Sequence, residues 1–516
     1  MFTIGEGLRL NAKRFANKTA LVMGDVSLTF SELNARVNQA AHALASLGVQ
    51  KGDRVALLLA NGIPMAELQL GCAKLGAVAV PVNARLAPPE LRFVLGDADP
   101  RVFVVEGEIL DRLAESGAQP GALVPLDRLV VAGDGGPAAF PHYEALRDQS
   151  SPAEPTVGVE GTDPWVIVYT SGTTGHPKGA VRSHQSNVLL ALTFANDFAI
   201  TAEDVGLLLG PMFHVNAIWI LSLSLYLGAT CVIYPYRTFQ PGRVAEEILA
   251  HRVTFSVFVP TILAYMVQIA QSGRLEGHHL KVLLCSSAPL TSTLRDSILR
   301  TFPKAQLFEL YGSTEAGAVT NIRHSPESPI GTVGFPGLAQ EVRILDDDGR
   351  PVPDGTIGEI YSRGPTLMDG YFRRPDATRD AFRDGFFSAG DLGRLDADGR
   401  LYIVDRKADM IITMGENVYP TEVEEVIARA PGVLQVAVIG VPDERRGEAV
   451  RALVVPNPEG PPPDMEFIEQ LCRESLADYK RPRQIDVVPE LPIGATGKIL
   501  RRATRAPFWE GRERGI

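Results

Sequence analysis

Short apolar runs alternate along the chain with longer stretches whose apolar positions recur at helical spacing. Leu33, Val37, Ala41 and Leu44 fall on one face of a helix that Ser31 is expected to cap and Gly48 to stop. Residues 54–59 (RVALLL) then read as a buried strand. A helix over 64–75, a stop at Gly76 and a strand over 77–80 follow. Wholly apolar strands separated by helices predict parallel sheet covered on both faces.

Residues 115–159 are rich in Gly, Ala and Pro and read as loops around a short strand at 129–131. A buried strand at 165–168 then runs into a polar loop, and a helix is expected from Ser183. Alternation resumes with strands at 254–259 and 281–284, each followed by a helix. Over 341–363 short strands with Asp/Gly turns suggest a small antiparallel barrel. Beyond Val404, Thr421 and Glu424 suggest a capping box, and strands at 435–441, 449–455 and 484–488 surround a helix over 465–477. The prediction is an α/β protein: a large domain over 1–404 and a small α+β domain over 405–516.

Residues 205–233 contain no Asp, Glu, Lys or Arg, which raises the possibility of a membrane span. The glycine at 228 and the strand-like residues after it favour a buried helix, a stop and a strand instead.

Composition narrows the function. The 516 residues are 45% hydrophobic and carry a net charge of −11, which disfavours nucleic acid and anionic membrane as partners. The four cysteines, Cys72, Cys231, Cys285 and Cys472, form no close pair. That argues against a zinc site or disulfide framework. No secretory, peroxisomal or lipidation signal is evident, so a cytoplasmic location is expected.

Five segments carry candidate chemistry. The loop YTSGTTGHPKG at 169–179 brings backbone N–H groups, hydroxyls and Lys178 together after a strand, as a phosphate chain requires. Its spacing differs from the common nucleotide loop, and a polar linker would look similar. YGSTEAG at 311–317 offers an aromatic ring at Tyr311 and hard oxygens at Thr314 and Glu315, suited to Mg²⁺, or else a plain turn. His214 sits among apolar residues in PMFHVN, where a satisfied core histidine is the alternative. Asp391 in SAGDLG and Arg406 in VDR fit ribose recognition, or a turn and a surface ion pair. PIGATGKIL at 492–500 presents Lys498 from a glycine-flanked loop.

In this order and spacing the five segments resemble the adenylate-forming enzymes, which include acyl-CoA synthetases, luciferase and peptide-synthetase adenylation domains. The resemblance runs from about residue 20 to 505 and is nearest to the fatty-acyl and medium-chain CoA ligases. It implies ATP, Mg²⁺ and coenzyme A as partners of a small carboxylic acid. A homodimer is compatible with the sequence, which carries no signal of oligomeric state.

The resemblance also implies roles for individual residues. Thr170, Ser171, Gly172, Thr173, Thr174, Gly175 and Lys178 would hold the departing phosphates. Thr314 would meet the α-phosphate and Glu315 the Mg²⁺. Tyr311 and Gly312, with Ser287, Ala288 and Pro289, would enclose adenine. Asp391 and Arg406 would take the ribose, and Lys498 would bridge the acid and the α-phosphate. Gly415, Glu416 and Asn417 would face pantetheine after the small domain rotates.

Two positions depart from familiar patterns. Ala408 stands where the family's hinge carries Asp or Lys. His214 stands where amino-acid-activating relatives carry an aspartate, so a free amino acid lacks its anchor, and His214 is read as a gate beside the acyl site. The segments expected to line the acyl pocket (213–223, 256–263, 284–287) contain no Lys or Arg, which favours an apolar monocarboxylate. Trp219 is a candidate limit to pocket depth. Aryl- or dicarboxylate-CoA ligation and a non-catalytic binder remain as alternatives.

Overall fold

The computed structural model describes residues 3–115, 119–170, 177–407, 409–414, 416–443, 445–458, 460–494 and 498–510. Two large sheets carry most of the chain, one of seven strands and one of fifteen. In the seven-stranded sheet, Arg54–Leu58 lies between Val78–Pro81 and Val102–Glu106, all parallel, as their continuous apolar sequences predict. Pro164–Thr170 joins this sheet beside Val78–Pro81.

A single core fills the space between the sheets. It takes residues from both sheets and from the helices Phe30–Ser46, Ile63–Leu75, His184–Phe198 and Val215–Leu227. A second core covers the outer face of the larger sheet, under helices Pro241–Ala250 and Pro260–Gln271, and a third covers the outer face of the smaller. The uncharged stretch is a buried helix, Val215–Leu227, stopped by Gly228 in the left-handed region and followed by the strand Thr230–Ile233. Among the described residues no helix is long and apolar enough to cross a membrane.

Two local expectations are corrected, and one strand is added. The helix Phe30–Ser46 is capped by Thr29, not Ser31, because Glu32 is the residue that completes a reciprocal box with Thr29. The helix Pro420–Ile427 starts with proline at its first turn, leaving Thr421 and Glu424 inside it, where they bind Arg501 instead of capping. Between the polar loop and the helix expected from Ser183, which is present with Ser183 as its N-cap, lies a second strand that the reading did not foresee. Lys178–Ser183 pairs antiparallel with Pro164–Thr170, and the helix begins at His184.

The short strands after residue 340 are antiparallel, as their turns suggest, but they extend the larger sheet as an open layer with no closed barrel among the described residues. From Ile411 onward the strands form a separate five-stranded sheet. Helices Pro420–Ile427 and Met465–Ser475 pack on it around their own core.

Candidate active site

The hairpin of Pro164–Thr170 and Lys178–Ser183 brings both ends of the polar loop to one place. Thr170 Oγ1 donates to Glu315 Oε1 at 3.0 Å, and the Tyr371 hydroxyl approaches the same oxygen at 3.3 Å. Lys178 Nζ lies 5.2 Å from the centre of the Tyr371 ring, within cation–π range. Ser171, Gly172, Thr173, Thr174 and Gly175 lie outside the described residues, as do Ala408 and Gly415.

The turn holding Thr314 and Glu315 is tightly built. Gly317 has φ +75°, and a Cβ there would come within 2.6–2.8 Å of Thr366. A Cβ on Gly312 would strike the Gly317 carbonyl at 2.1 Å. Glycine is therefore required at both positions. The turn's carbonyls are all taken: Arg182 donates to Thr314 at 2.8 Å, Met368 N to Glu315 at 2.7 Å, and Thr366 Oγ1 to Ala316 at 3.0 Å.

Beside this turn, Asp391 and Arg406 are cross-strand neighbours at the start and end of adjacent strands. Arg406 Nε is 3.2 Å from Asp391 Oδ1, and the Tyr311 hydroxyl donates to Asp391 Oδ2 at 2.8 Å. Burial, and then the Asp391 carboxylate, pushes the Tyr311 phenol well up, so it stays a donor.

Lys498 enters the same field from the small domain. Gly494 N donates to its carbonyl at 2.7 Å, and Ile493 pairs with Ile499, so Lys498 and Ile499 are tied to residues 493 and 494. Burial, and then the charge of Arg406, pushes the Lys498 ammonium down to about 8, while Asp391 opposes the shift. Arg501 anchors this segment with contacts to Asp405 at 3.2 Å and Glu424 at 2.5 Å.

His214 caps the helix Val215–Leu227, its Nδ1 accepting from Asn216 N at 3.4 Å. Nε2 is thus the protonated nitrogen. Burial, and next the nearby Lys498, pushes the imidazole down to about 4, so it is neutral at pH 7. Asn216 Nδ2 donates to Ser287 Oγ at 3.1 Å, and Ser287 adopts φ +74°, a strained value for a residue with a side chain. After Ala288 and Pro289, Leu290 N donates to buried Glu309 at 3.2 Å, fixing the far side of that loop.

The structure thus gathers Thr170, Lys178, Thr314 and Glu315 into one group, and Tyr311, Asp391, Arg406, Lys498 and His214 into another beside it. Glu416 and Asn417 are left outside, exposed on a hairpin with Ile411–Thr413. Sequence reading missed Arg182, Tyr371 and Arg501. Arg182 carried one usable signal: it stands four residues after Lys178, so in a strand both point to the same face.

Comparison with known proteins shows the family. Residues 8–372 match the model of the AMP-binding enzyme family, and residues 422–498 match the AMP-binding enzyme C-terminal domain. The chain belongs to the AMP-binding enzyme family. It is similar to the long-chain-fatty-acid–CoA ligase FadD13 of Mycobacterium tuberculosis, 36% identical over 492 residues and 94% of each chain. A feruloyl-CoA synthase from an Amycolatopsis species is 35% identical over 501 residues, covering 96% of this chain and 97% of that one. Among solved structures, the anthranilate CoA ligase AuaEII in complex with anthranoyl-AMP matches with a TM-score of 0.88 and 29% identity over 98% of each chain. The common denominator is acid–thiol ligation, and the chain is an AMP-forming acyl-CoA ligase that uses ATP and coenzyme A.

Proposed function

We propose that this AMP-binding enzyme activates an apolar monocarboxylic acid, fatty or aryl, and that the two residue groups divide the work. The observation that carries the reading is Lys498, held by the small domain within the field of Asp391 and Arg406 and beside His214. In the first half-reaction a carboxylate oxygen attacks the α-phosphorus of ATP, the bond to the β-phosphate breaks, and pyrophosphate leaves. Lys498 spans the attacking carboxylate and the α-phosphate, so its charge meets the negative charge that builds up there. Thr170 and Lys178 hold the departing phosphates. Asp391 accepts from the ribose hydroxyls, its geometry set by Tyr311 and Arg406. The adenine lies against Tyr311 and the strained Ser287 turn. In the second half-reaction the CoA thiolate attacks the acyl carbon and AMP leaves.

The residues present fit a Mg²⁺ shared with phosphate. Glu315 supplies a carboxylate and Thr170 and Thr314 supply hydroxyls, while no group of three or more His, Cys, Asp or Glu side chains among the described residues could cage a metal alone. Mg²⁺ prefers this sparse oxygen set because it retains water and phosphate ligands. When bound, it neutralises the phosphate charge.

Support for an apolar acid comes from the helix Val215–Leu227, whose buried face includes Ala217, Ile218 and Leu221. Trp219 packs edge-on against Phe194 with centroids 5.9 Å apart, and the Arg182 guanidinium lies 5.9 Å from its ring. Both Nη groups of Arg182 donate to backbone carbonyls, which holds its guanidinium against the Thr314 turn. Neutral His214 offers no charge. The test is pyrophosphate release with acetate, hexanoate, palmitate, benzoate and malonate in the presence of CoA. Activity with hexanoate, palmitate or benzoate is expected; activity with malonate alone overturns the apolar reading.

A further inference from the structure

Arg182 carries a charge where a hydrocarbon would fit at lower cost. Its side chain is wholly buried, with 0% exposure. Among the described residues no carboxylate forms an ion pair with it; Asp369 and Glu315 act on it only at longer range. Burying an arginine on neutral partners is costly, so the fold retains it for something a leucine cannot do.

What it does locally is clear. One Nη donates to the Thr314 carbonyl at 2.8 Å and the other to the Thr366 carbonyl at 2.9 Å. Thr366 in turn donates to the Ala316 carbonyl and accepts from Gln340 Nε2 at 2.9 Å. Two residues on, Met368 N binds the Glu315 carbonyl. The successive carbonyls of Thr314, Glu315 and Ala316 are therefore fastened to one neighbouring segment, and Arg182 is the fork that grips both sides at once. It also shares a strand face with Lys178, with buried Ala180 between them packed against Ala316 and Met368.

We propose that Arg182 is a positioning residue for ATP activation, its guanidinium clamping the Thr314–Glu315 turn to residues 366–368 so that the threonine hydroxyl and the glutamate carboxylate face metal-bound phosphate. The proposal rests on the reading of Thr314 and Glu315 given above. It assigns Arg182 chiefly to the first half-reaction: a preformed acyl-adenylate keeps the α-phosphate that Thr314 meets but has lost the β- and γ-phosphates, and with them the metal-bound phosphate that Glu315 faces.

Arg182→Lys keeps the charge and loses the fork, and Arg182→Gln loses the charge. Both are compared with Glu315→Gln by calorimetric ATP binding across a Mg²⁺ series, by ATP–pyrophosphate exchange, and by thioester formation from synthetic acyl-adenylate. Unfolding temperatures are measured alongside. Both Arg182 variants are expected to bind Mg²⁺·ATP about ten-fold more weakly and to lose exchange at least as strongly, with thioester formation within about three-fold of wild type. Wild-type Mg²⁺·ATP binding by Arg182→Lys overturns the proposal. Equal loss of both half-reactions with a lowered unfolding temperature also overturns it, as a purely structural role would. If Glu315→Gln binds Mg²⁺·ATP normally, the reading of the turn itself fails and takes this proposal with it. If only the Arg182 variants behave as wild type, the turn keeps its role and Arg182 loses its own.

Discussion

The Tyr311 hydroxyl donates to Asp391 across 2.8 Å, and Arg406 holds the carboxylate's other oxygen at 3.2 Å. The acid assigned to ribose is thus oriented from both sides before ATP arrives. Tyr311→Phe leaves the ring in place but removes one donor from a buried carboxylate, at a cost of about 1 kcal/mol. The expected result is a KM for ATP raised about five-fold with little change in kcat, measured by initial rates over an ATP series.

Lys498 gives the reaction an alkaline limit. Burial and Arg406 hold its ammonium at about 8, so the free enzyme carries the needed charge below that pH and loses it above. For adenylation, kcat/KM is expected to fall as pH rises through about 8. Bound acid and ATP add negative charge beside the lysine, so the limb in kcat should lie at higher pH. A pH series of pyrophosphate release checks both, and a kcat/KM limb unchanged in Lys498→Arg would contradict the assignment.

Gly317→Ala meets two obstacles, the left-handed φ of +75° and a Cβ within 2.8 Å of Thr366. A strained backbone position of this kind costs about 1–3 kcal/mol. The turn carrying Glu315 must move to relieve it. Pyrophosphate exchange should fall by at least about ten-fold while circular dichroism remains that of a folded protein.

Arg501→Met tests what anchors the small domain's lysine segment. The change strands Asp405 and Glu424, and is expected to cost about 3 kcal/mol, the lower end for a broken buried pair because Arg501 keeps 20% exposure. Calorimetric unfolding should show the loss. Adenylation should suffer more than thioester formation, because the segment that presents Lys498 is released.

Much of this was legible in the sequence where one physical force acted alone. Gly228 ended the uncharged helix because a left-handed stop needs glycine there, and the parallel strands announced themselves by continuous apolar residues. Reading failed where two forces competed. Lys178–Ser183 contains buried Arg182, so its hydropathy hides a strand that the pairing with Pro164–Thr170 imposes. Glu424 has the spacing of a capping residue, yet the proline that opens its helix and the pull of Arg501 assign it elsewhere. The site residues supplied by the polar turns were visible as motifs. Arg182, Tyr371 and Arg501 were not, because their partners are distant in sequence and known only once the strands are paired.

Lys498→Ala, assayed in the two half-reactions separately, bears most directly on the division of labour. ATP–pyrophosphate exchange in the presence of the acid should fall by about a hundred-fold or more, while thioester formation from supplied acyl-adenylate and CoA stays within about three-fold of wild type. Exchange that survives the substitution, or a thioester step lost to the same degree, would contradict the account.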